Sequence, residues 1–286
     1  MYIGSHISSA GGVQNAPQNS SAIKGEVFQF FSRSPRGGQA PELTHKIITE
    51  FQDNMRKYKQ KECYIHAPYY INLASEKNNI YFGSISVLRE ELERGSKLGA
   101  KYMMTHLGSA KDLGEKQAIK KVARGISEVL RGYQGATQFL IEMSAGTGMI
   151  IGDTFEEIAE ILKNLKFEIK NPQSKIGICF DTAHAFESGY DLRDKKSVKK
   201  TFDDFNKILG LKKLKLIHLN DSKTDLGSRR DRHEDIGKGK IGLAGFRALM
   251  ADKRLKDIDL ILETPTQTID RKNINIIKKL RKEVYQ

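Results

Sequence analysis

Residues 214–242 read LKLIHLNDSKTDLGSRRDRHEDIGKGKIG, and the organisation of the whole chain can be worked out from them. The first six, Leu214–Leu219, form a mainly apolar run of the kind that builds a buried strand. The stretch then turns polar and ends in a Gly-rich segment. Asp231 and His233 are two residues apart, so in an extended segment their side chains point the same way. His218 lies near the end of this strand, and the loop after it carries Asp231 and His233. Together they indicate a metal site at the end of the strand.

Short apolar runs of this kind recur along the chain between longer amphipathic stretches. We predict eight strands, over Tyr2–His6, Val27–Phe31, Cys63–His66, Tyr102–Leu107, Phe139–Met143, Ile176–Asp181, Leu214–Leu219 and Asp259–Glu263. The predicted helices are Pro41–Lys59, Ser84–Leu98, Glu115–Leu130, Thr154–Leu165, Lys196–Leu209 and Thr268–Glu283. This alternation predicts an α/β fold, a closed (β/α)8 TIM barrel that forms a single domain over residues 1–286. An open doubly wound sheet is the nearest alternative, but no dinucleotide-type glycine motif follows the first strand.

Composition restricts the possible partners of the chain. Its formal charge of +13 favours a polyanion such as nucleic acid, although solvated lysine faces explain the charge equally well. The two cysteines form no C-x-x-C motif, so neither a disulfide framework nor a thiolate zinc site is indicated. No signal-peptide pattern and no apolar run of roughly 20 residues is present, and we expect a cytoplasmic protein without a membrane segment. Without heptads or an exposed apolar stripe, the expected state is a monomer.

Residues able to bind a metal ion follow or end six successive predicted strands. They are His66, His106, Glu142, Asp181, His218 and Glu263 at the strand ends, with His184, Asp231 and His233 in the loops beyond. The carboxyl ends of barrel strands meet on one face, where active sites lie. Any one of these residues alone is more often a hydrogen-bonded loop residue than a ligand, but nine together favour a cluster. Their N and O donors suit zinc, manganese or iron.

The number of these residues bears on the reaction. One catalytic zinc takes three protein ligands, so nine exceed the needs of a single ion, whereas two or three ions sharing a carboxylate would use them all. Such a cluster clamps the attacking and leaving oxygens of a phosphoryl centre. Together with the basic charge, the pattern predicts phosphodiester hydrolysis. His6 faces the same rim, lacks an acidic neighbour in sequence, and is expected to contact the ligands or the substrate rather than a metal.

Several longer motifs make a family resemblance visible. They are GSHISSAGG (4–12), HAPY (66–69), THLGS (105–109), IEMSAGTG (141–148), GICFDTAHAFESGYD (177–191), HLNDSK (218–223), GSRRDRHEDIGKGKIG (227–242) and ILETP (261–265). With these motifs the chain closely resembles the endonuclease IV family of apurinic/apyrimidinic (AP) endonucleases, from the first strand to the last. The resemblance implies a zinc-dependent enzyme of DNA base excision repair. It would cut the phosphodiester 5′ to an abasic site, leaving a 3′-hydroxyl and a 5′-deoxyribose phosphate, and would remove 3′-blocking groups.

The same resemblance implies a role for each site residue. One zinc would be held by His66, His106 and Glu142; a second by Glu142, Asp181, His218 and Glu263; and a third by His184, Asp231 and His233. Glu142 would thus be the catalytic bridging residue, and Mn2+ is a possible substitute for the three zinc ions. The expected partner is double-stranded DNA that contains abasic sites or blocked 3′ ends. The resemblance gives Arg36, Tyr69 and Tyr70 as its contacts. Separately, the basic run at the barrel mouth, Arg229, Arg230 and Arg232, is expected to hold phosphates because it flanks Asp231 and His233.

Two other interpretations remain open at this point. A metal-dependent sugar isomerase or epimerase on the same barrel type also gathers carboxylates and histidines at strand ends. It needs only one or two metals and would leave Asp231 and His233 without a purpose. A non-catalytic DNA-binding barrel would have lost ligands, and none is missing from this sequence.

Overall fold

The computed structural model describes residues 1–165, 176–265 and 270–285, and its centre is a closed barrel of eight parallel strands. These strands are β1 (Ile3–Ile7), β2 (Val27–Phe30), β3 (Cys63–His66), β4 (Tyr102–Thr105), β5 (Gln138–Glu142), β6 (Ile176–Asp181), β7 (Leu214–His218) and β10 (Asp259–Leu262). The first and last strands close the barrel, with Ile3 opposite Leu260. Outside it, two two-residue strands, β8 (Asp221–Ser222) and β9 (His233–Glu234), form an antiparallel ladder. The predicted TIM barrel is confirmed.

Several strand ends differ from the prediction by one or two residues. β4 ends at Thr105 and β10 at Leu262, so His106 and Glu263 each stand one position beyond the ladder instead of closing the strand. β1 continues through Ile7, which leaves His6 inside the strand. The end of an element is defined by its last backbone hydrogen bond, so differences of one or two residues are expected. The side chains still emerge at the same mouth.

Helices surround the barrel on the outside. They are α1 (Ala16–Ala22), α2 (His45–Lys57), α3 (Asn78–Leu98), α4 (Glu115–Leu130), α5 (Phe155–Asn164), α6 (Thr182–Glu187), α7 (Lys195–Ile208), α8 (Gly242–Ala251) and α9 (Asp270–Tyr285). Thr268, where the last helix was predicted to begin, lies outside the described residues. In the part of the chain that the structure covers, no helix is both long enough and apolar enough to cross a membrane.

Two predicted helix starts are wrong for identifiable reasons. The helix predicted from Pro41 begins at His45, because the Thr44 hydroxyl accepts a hydrogen bond from the N–H of Ile47 and caps it there. The helix predicted from Ser84 begins at Asn78. Its added first turns bury Tyr81, whose hydroxyl donates to the carbonyl of Lys121 on α4. Tertiary packing thus extends a segment that has weak helical periodicity of its own.

The short helices α1, α6 and α8 were not predicted. α8 begins at Gly242 and contains Gly245, and glycine has a low intrinsic helix propensity. A Cβ atom at Gly245 would lie 2.2 Å from the carbonyl oxygen of Leu192, so this helix can approach its neighbour only with glycine there. The residue that weakens the helical pattern is therefore the one that allows the packing.

The barrel interior is apolar in the middle and polar at its mouth. A buried layer, one residue from each of seven strands, consists of Val27, Tyr64, Met104, Leu140, Cys179, Leu216 and Ile261. Both cysteines are free and buried. The opposite end of the barrel is closed by the Tyr64 hydroxyl, which donates to the Asp259 carboxylate at 2.7 Å. With the centre filled, the polar side chains at the carboxyl ends of the strands form a separate, water-accessible site.

Candidate metal centre

The barrel mouth gathers the predicted metal-binding residues into three groups whose potential ligand atoms lie within 4.8 Å of one another. The groups are His66, His106 and Glu142; Glu142, Asp181, His218 and Glu263; and Asp181, His184 and His233. Asp231 adjoins the third group, with its Oδ1 atom 3.5 Å from Nε2 of His184 and 3.8 Å from Nε2 of His233. The structure therefore brings all nine residues together at one end of the barrel.

Glu142 lies between the first two groups and is fully buried. Its Oε2 atom is 2.9 Å from Nε2 of His66, and its Oε1 atom is 2.8 Å from Nδ1 of His218. Burial alone would raise the pKa of Glu142, but His106, His218 and His66 hold it well below its ordinary value. The side chain is thus a carboxylate whose two oxygens face different groups, the arrangement that a bridging ligand needs.

Backbone carbonyls fix the protonation pattern of three histidines. Each has its Nδ1 atom within 3.0 Å of a carbonyl oxygen, His66 at Ala67, His184 at Met143 and His233 at Glu263. A carbonyl oxygen can only accept, so each Nδ1 atom carries the hydrogen. When the ring is neutral, each Nε2 atom therefore presents a lone pair to the centre of the mouth. This is how metal-binding histidines are usually oriented by their surroundings.

These inward lone pairs create a need for positive charge. The Nε2 atoms of His184 and His233 face each other at 3.3 Å, beside the carboxylate of Asp231. Burial alone would lower the pKa of His184, yet Asp181 and Asp231 raise it well above its ordinary value. Two lone pairs and a carboxylate repel one another unless a proton or another cation lies among them. The donor set therefore fits a metal ion of the nitrogen- and oxygen-binding kind.

Sequence reasoning missed Gln29, which is fully buried on β2. Its Oε1 atom lies 2.7 Å from Nε2 of His218, and its Nε2 atom lies 2.6 Å from Glu263 and 2.9 Å from Nδ1 of His6. His6 also has Glu263 at 3.6 Å, an acidic partner that its own stretch of sequence does not provide. The signal in the sequence was a single amide within the apolar run Val27–Phe30.

The aromatic residues expected to contact DNA surround two cavities at the mouth. Tyr69 is 69% exposed and lines both, one of about 290 Å³ beside the metal-binding residues and one of about 350 Å³ next to it. Tyr70 lines the second cavity and is also exposed. Arg36 is exposed in the loop that follows β2, and Arg230 is exposed next to Asp231. All four can be reached by a large ligand.

The arginines around Asp231 differ in their surroundings. The guanidinium of Arg229 donates to Asp153 at 2.6 Å and to the carbonyl of Gly146 at 3.0 Å. That of Arg232 donates to the carbonyl of Asp231 at 2.7 Å. Arg229 therefore joins the loop after β7 to the loop after β5. Of the three arginines predicted to hold phosphates, Arg230 is the one without such a tie among the described residues.

Asp221 organises the Gly-rich segment that follows Asp231 and His233. It is fully buried and accepts five backbone hydrogen bonds of 2.9–3.3 Å, from Ser222, Gly237, Gly239, Ile241 and Gly242. A Cβ atom at Gly239 would lie 2.3 Å from the carbonyl oxygen of Ser222, so glycine is required there. The aspartate of the HLND motif and the glycines of the GKG motif are thus parts of one structure.

Fold and site together define a TIM barrel with a candidate metal centre at its mouth. Comparison with known proteins identifies its class and then its family. A protein-family model described as a xylose isomerase-like TIM barrel matches residues 18–282. A probable endonuclease 4 from Nitrosopumilus maritimus is 39% identical over 283 residues, which cover 98% of this chain and 99% of that protein. The crystal structure of endonuclease IV from Thermus thermophilus has a TM-score of 0.86 at 30% identity, covering 99% of this chain and 100% of the other. The chain belongs to the endonuclease IV family.

More distant structural similarity extends to sugar-converting enzymes. A D-tagatose 3-epimerase-like protein has a TM-score of 0.76 at 19% identity, covering 100% of this chain and 98% of that one. At this identity the likeness establishes a shared fold and nothing about the reaction. The choice of reaction must therefore come from the family and from the residues of the mouth.

Proposed function

We propose that this protein is a zinc-dependent AP endonuclease of DNA base excision repair. It hydrolyses the phosphodiester 5′ to an abasic site, leaves a 3′-hydroxyl and a 5′-deoxyribose phosphate, and also removes 3′-blocking groups. The observation that carries the proposal is the buried Glu142 carboxylate, whose two oxygens face separate groups of inward-pointing histidine nitrogens in a chain of this family. Manganese is a possible substitute for zinc.

We assign to each ion the ligands that the family resemblance implies, which differ from the three groups in the third set, where Asp231 takes the place of Asp181. His66, His106 and Glu142 would form one site; Asp181, His218 and Glu263 would share Glu142 in the next; and His184, Asp231 and His233 would form the third. Bound zinc would supply an activated water at neutral pH and would neutralise charge on the phosphate. The Asp231 side chain is 53% exposed, while the other proposed ligands are far less so. This exposure suits a position that faces the substrate.

The surface around the mouth supports a nucleic-acid substrate. The cavity beside the metal-binding residues, about 290 Å³, is too small for a duplex, so the damaged nucleotide must leave the helix to enter it. A nucleotide without a base has little stacking to lose, which favours abasic sites over intact ones. Tyr69, Tyr70 and Arg36 would fill the gap left in the duplex, and Arg230 would bind a phosphate.

A sugar isomerase or epimerase remains the alternative. It would use one or two metals and would give no role to the third group around Asp231 and His233. A neutral sugar also gains nothing from a formal charge of +13. The observations at the mouth therefore favour the nuclease.

Incubation with a labelled duplex that carries one abasic analogue tests the proposal. We expect a single incision 5′ to the analogue, its loss after prolonged treatment with a chelator, and its return when zinc is added. A duplex of the same sequence without the lesion is the control and should stay intact. If the fully metal-loaded protein leaves the abasic strand uncut, the proposed nuclease activity is wrong, and sugar substrates become the next to assay.

A further inference from the structure

His218 differs from three other histidines of the mouth in what holds its outer nitrogen. His66, His184 and His233 each rest on a backbone carbonyl, whose position the barrel itself fixes. The partner of His218 is instead the side chain of Gln29, 2.7 Å away on the opposite side of the ring from Glu142. A side-chain partner can be exchanged without moving the backbone, so its contribution can be measured.

The surroundings of Gln29 determine which way its amide points. Glu263 is a carboxylate that can only accept, so the amide nitrogen of Gln29 must face it, at 2.6 Å. The second hydrogen of that nitrogen points to Nδ1 of His6, at 2.9 Å. The amide oxygen is thereby left facing His218, and because an oxygen accepts, Nε2 of His218 must carry the hydrogen.

This arrangement leaves Nδ1 of His218 as the ligand atom. Nδ1 lies 2.8 Å from Glu142, 3.2 Å from Glu263 and 3.8 Å from Asp181, the three carboxylates of its group. The histidines held by backbone carbonyls present Nε2 to the centre, so His218 has the reverse orientation. A flipped ring or the other tautomer would turn a hydrogen toward these carboxylates and would remove the nitrogen donor.

We propose that Gln29 is a positioning residue that fixes the ring orientation and tautomer of His218, holds Glu263 at the same time, and so preorganises the metal site that they share with Glu142 and Asp181. The inference rests on the proposed metal centre. His6 supports the amide from the far side, and the His6 ring packs against that of Phe31 with their centroids 4.4 Å apart. Outer partners of this kind typically contribute about 10–100-fold to metal affinity.

The test compares two buried glutamines. Gln29→Met keeps the length of the side chain and removes its hydrogen bonds. Gln60→Met does the same at a site before β3, away from the mouth, where Gln60 bonds to Ser20, Gly25 and Tyr58. Both variants and the wild type are loaded with zinc and dialysed against a graded series of chelator concentrations. Metal content is then measured by mass spectrometry, and the unfolding of each metal-free protein is followed separately.

We expect Gln29→Met to lose one zinc at a free-zinc concentration about 10–100-fold higher than the wild type requires, while Gln60→Met retains its zinc like the wild type. Both metal-free variants should be less stable, so stability alone would not separate them. If Gln29→Met retains zinc as the wild type does, the inference is wrong and the metal centre stands. If the wild type itself binds no zinc, the metal centre is wrong and the inference falls with it.

A crystal structure of the zinc-loaded wild type provides a second measurement that does not depend on a variant folding. We expect Nδ1 of His218 on the metal and Oε1 of Gln29 within hydrogen-bond distance of Nε2. Zinc on Nε2 of His218 would overturn the inference.

Discussion

Glu142 connects two groups of potential metal ligands, because each of its oxygens faces a different set of histidines. An amide in its place has one oxygen and no charge, so Glu142→Gln can serve only one of the two groups. We expect incision of an abasic duplex to fall by more than about 100-fold, beyond the usual effect of losing an outer partner. Rates measured on wild type and variant at equal protein concentration check this.

Glu26→Gln is the matched control for that substitution. Glu26 pairs with Arg281 at 2.8 Å, away from the mouth, and its loss should lower stability while leaving the incision rate near that of the wild type. Incision by Glu142→Gln at the wild-type rate would show that the carboxylate does not bridge two ions.

Asp221 gives a second prediction at the scale of one residue. In Asp221→Asn the new NH2 group must face backbone N–H groups that now donate to a carboxylate oxygen. We expect the free energy of unfolding of the metal-free protein to fall by about 3 kcal/mol, the cost of losing charge-assisted bonds and leaving buried donors unpaired. Denaturant titration measures the change.

Asp225→Asn provides the comparison, since Asp225 is 85% exposed and pairs with Lys240 on the surface. Its effect should be small because exposed ion pairs contribute little. Equal losses in the two variants would mean that the hydrogen bonds to Asp221 do not hold the Gly-rich segment.

The loop between β2 and α2 is the clearest case at the scale of an element. Arg94 on α3 is buried and fastens both ends of this loop, donating to the carbonyl of Ser32 at 2.6 Å and to that of Pro41 at 2.7 Å. Glu91, also on α3, accepts from the hydroxyl of Ser32 at 2.7 Å. The exposed Arg36 therefore projects from a loop whose two ends are fixed to one helix.

We predict that Arg94→Lys raises KM for abasic duplex roughly tenfold and leaves kcat and zinc content close to those of the wild type. Lysine keeps the charge, but its single ammonium group cannot bond both carbonyls as the planar guanidinium of arginine does. The loop that carries Arg36 should therefore be held less tightly. Steady-state kinetics with metal analysis checks both parts.

The same helix offers a control, because Arg89 donates to two carbonyls in a similar way, those of Val129 and Arg131, on the side facing α4. Arg89→Lys should leave KM unchanged. A KM that stays constant in Arg94→Lys as well would show that the loop does not contribute to binding.

Local patterns predicted the barrel but not all of its details. The short apolar runs between amphipathic stretches located all eight strands. Each of these runs has to be buried, whichever elements pack around it. The start of α3 and the whole of α8 depended on Tyr81 and Gly245, whose roles come from contacts across the fold. For the site, strand ends and the loops that follow them pointed to all nine potential ligands, whereas Gln29 and Asp221 act on partners distant in sequence and could not be recognised by spacing.

For the whole molecule, the formal charge of +13 predicts how binding responds to salt. When a protein neutralises three phosphates of duplex DNA, the logarithm of its binding constant falls linearly with the logarithm of the salt concentration, with a slope of about −3. We expect a slope of this order, measured by fluorescence anisotropy in the presence of chelator so that the strand stays intact. A slope near zero would argue against DNA as the substrate.

Single substitutions identify which charges contribute to this slope. Arg230→Gln should make it less steep by about one, because one phosphate contact is lost. Lys282→Gln, on the exposed face of α9, should leave it unchanged. If the two variants behave alike, the contact surface lies elsewhere than at the mouth.

The order of the ligands along the chain has a consequence for protein synthesis. Glu263 follows β10, the last barrel strand, and β10 must pair with β1 before the mouth is complete. A nascent chain in which His66, His106 and Glu142 have already been made still lacks the residues that complete the site shared through Glu142. The proposed cluster therefore cannot be complete on the ribosome until Glu263 has been made, and a product truncated before β10 would lack both a ligand of the shared site and the strand that closes the barrel.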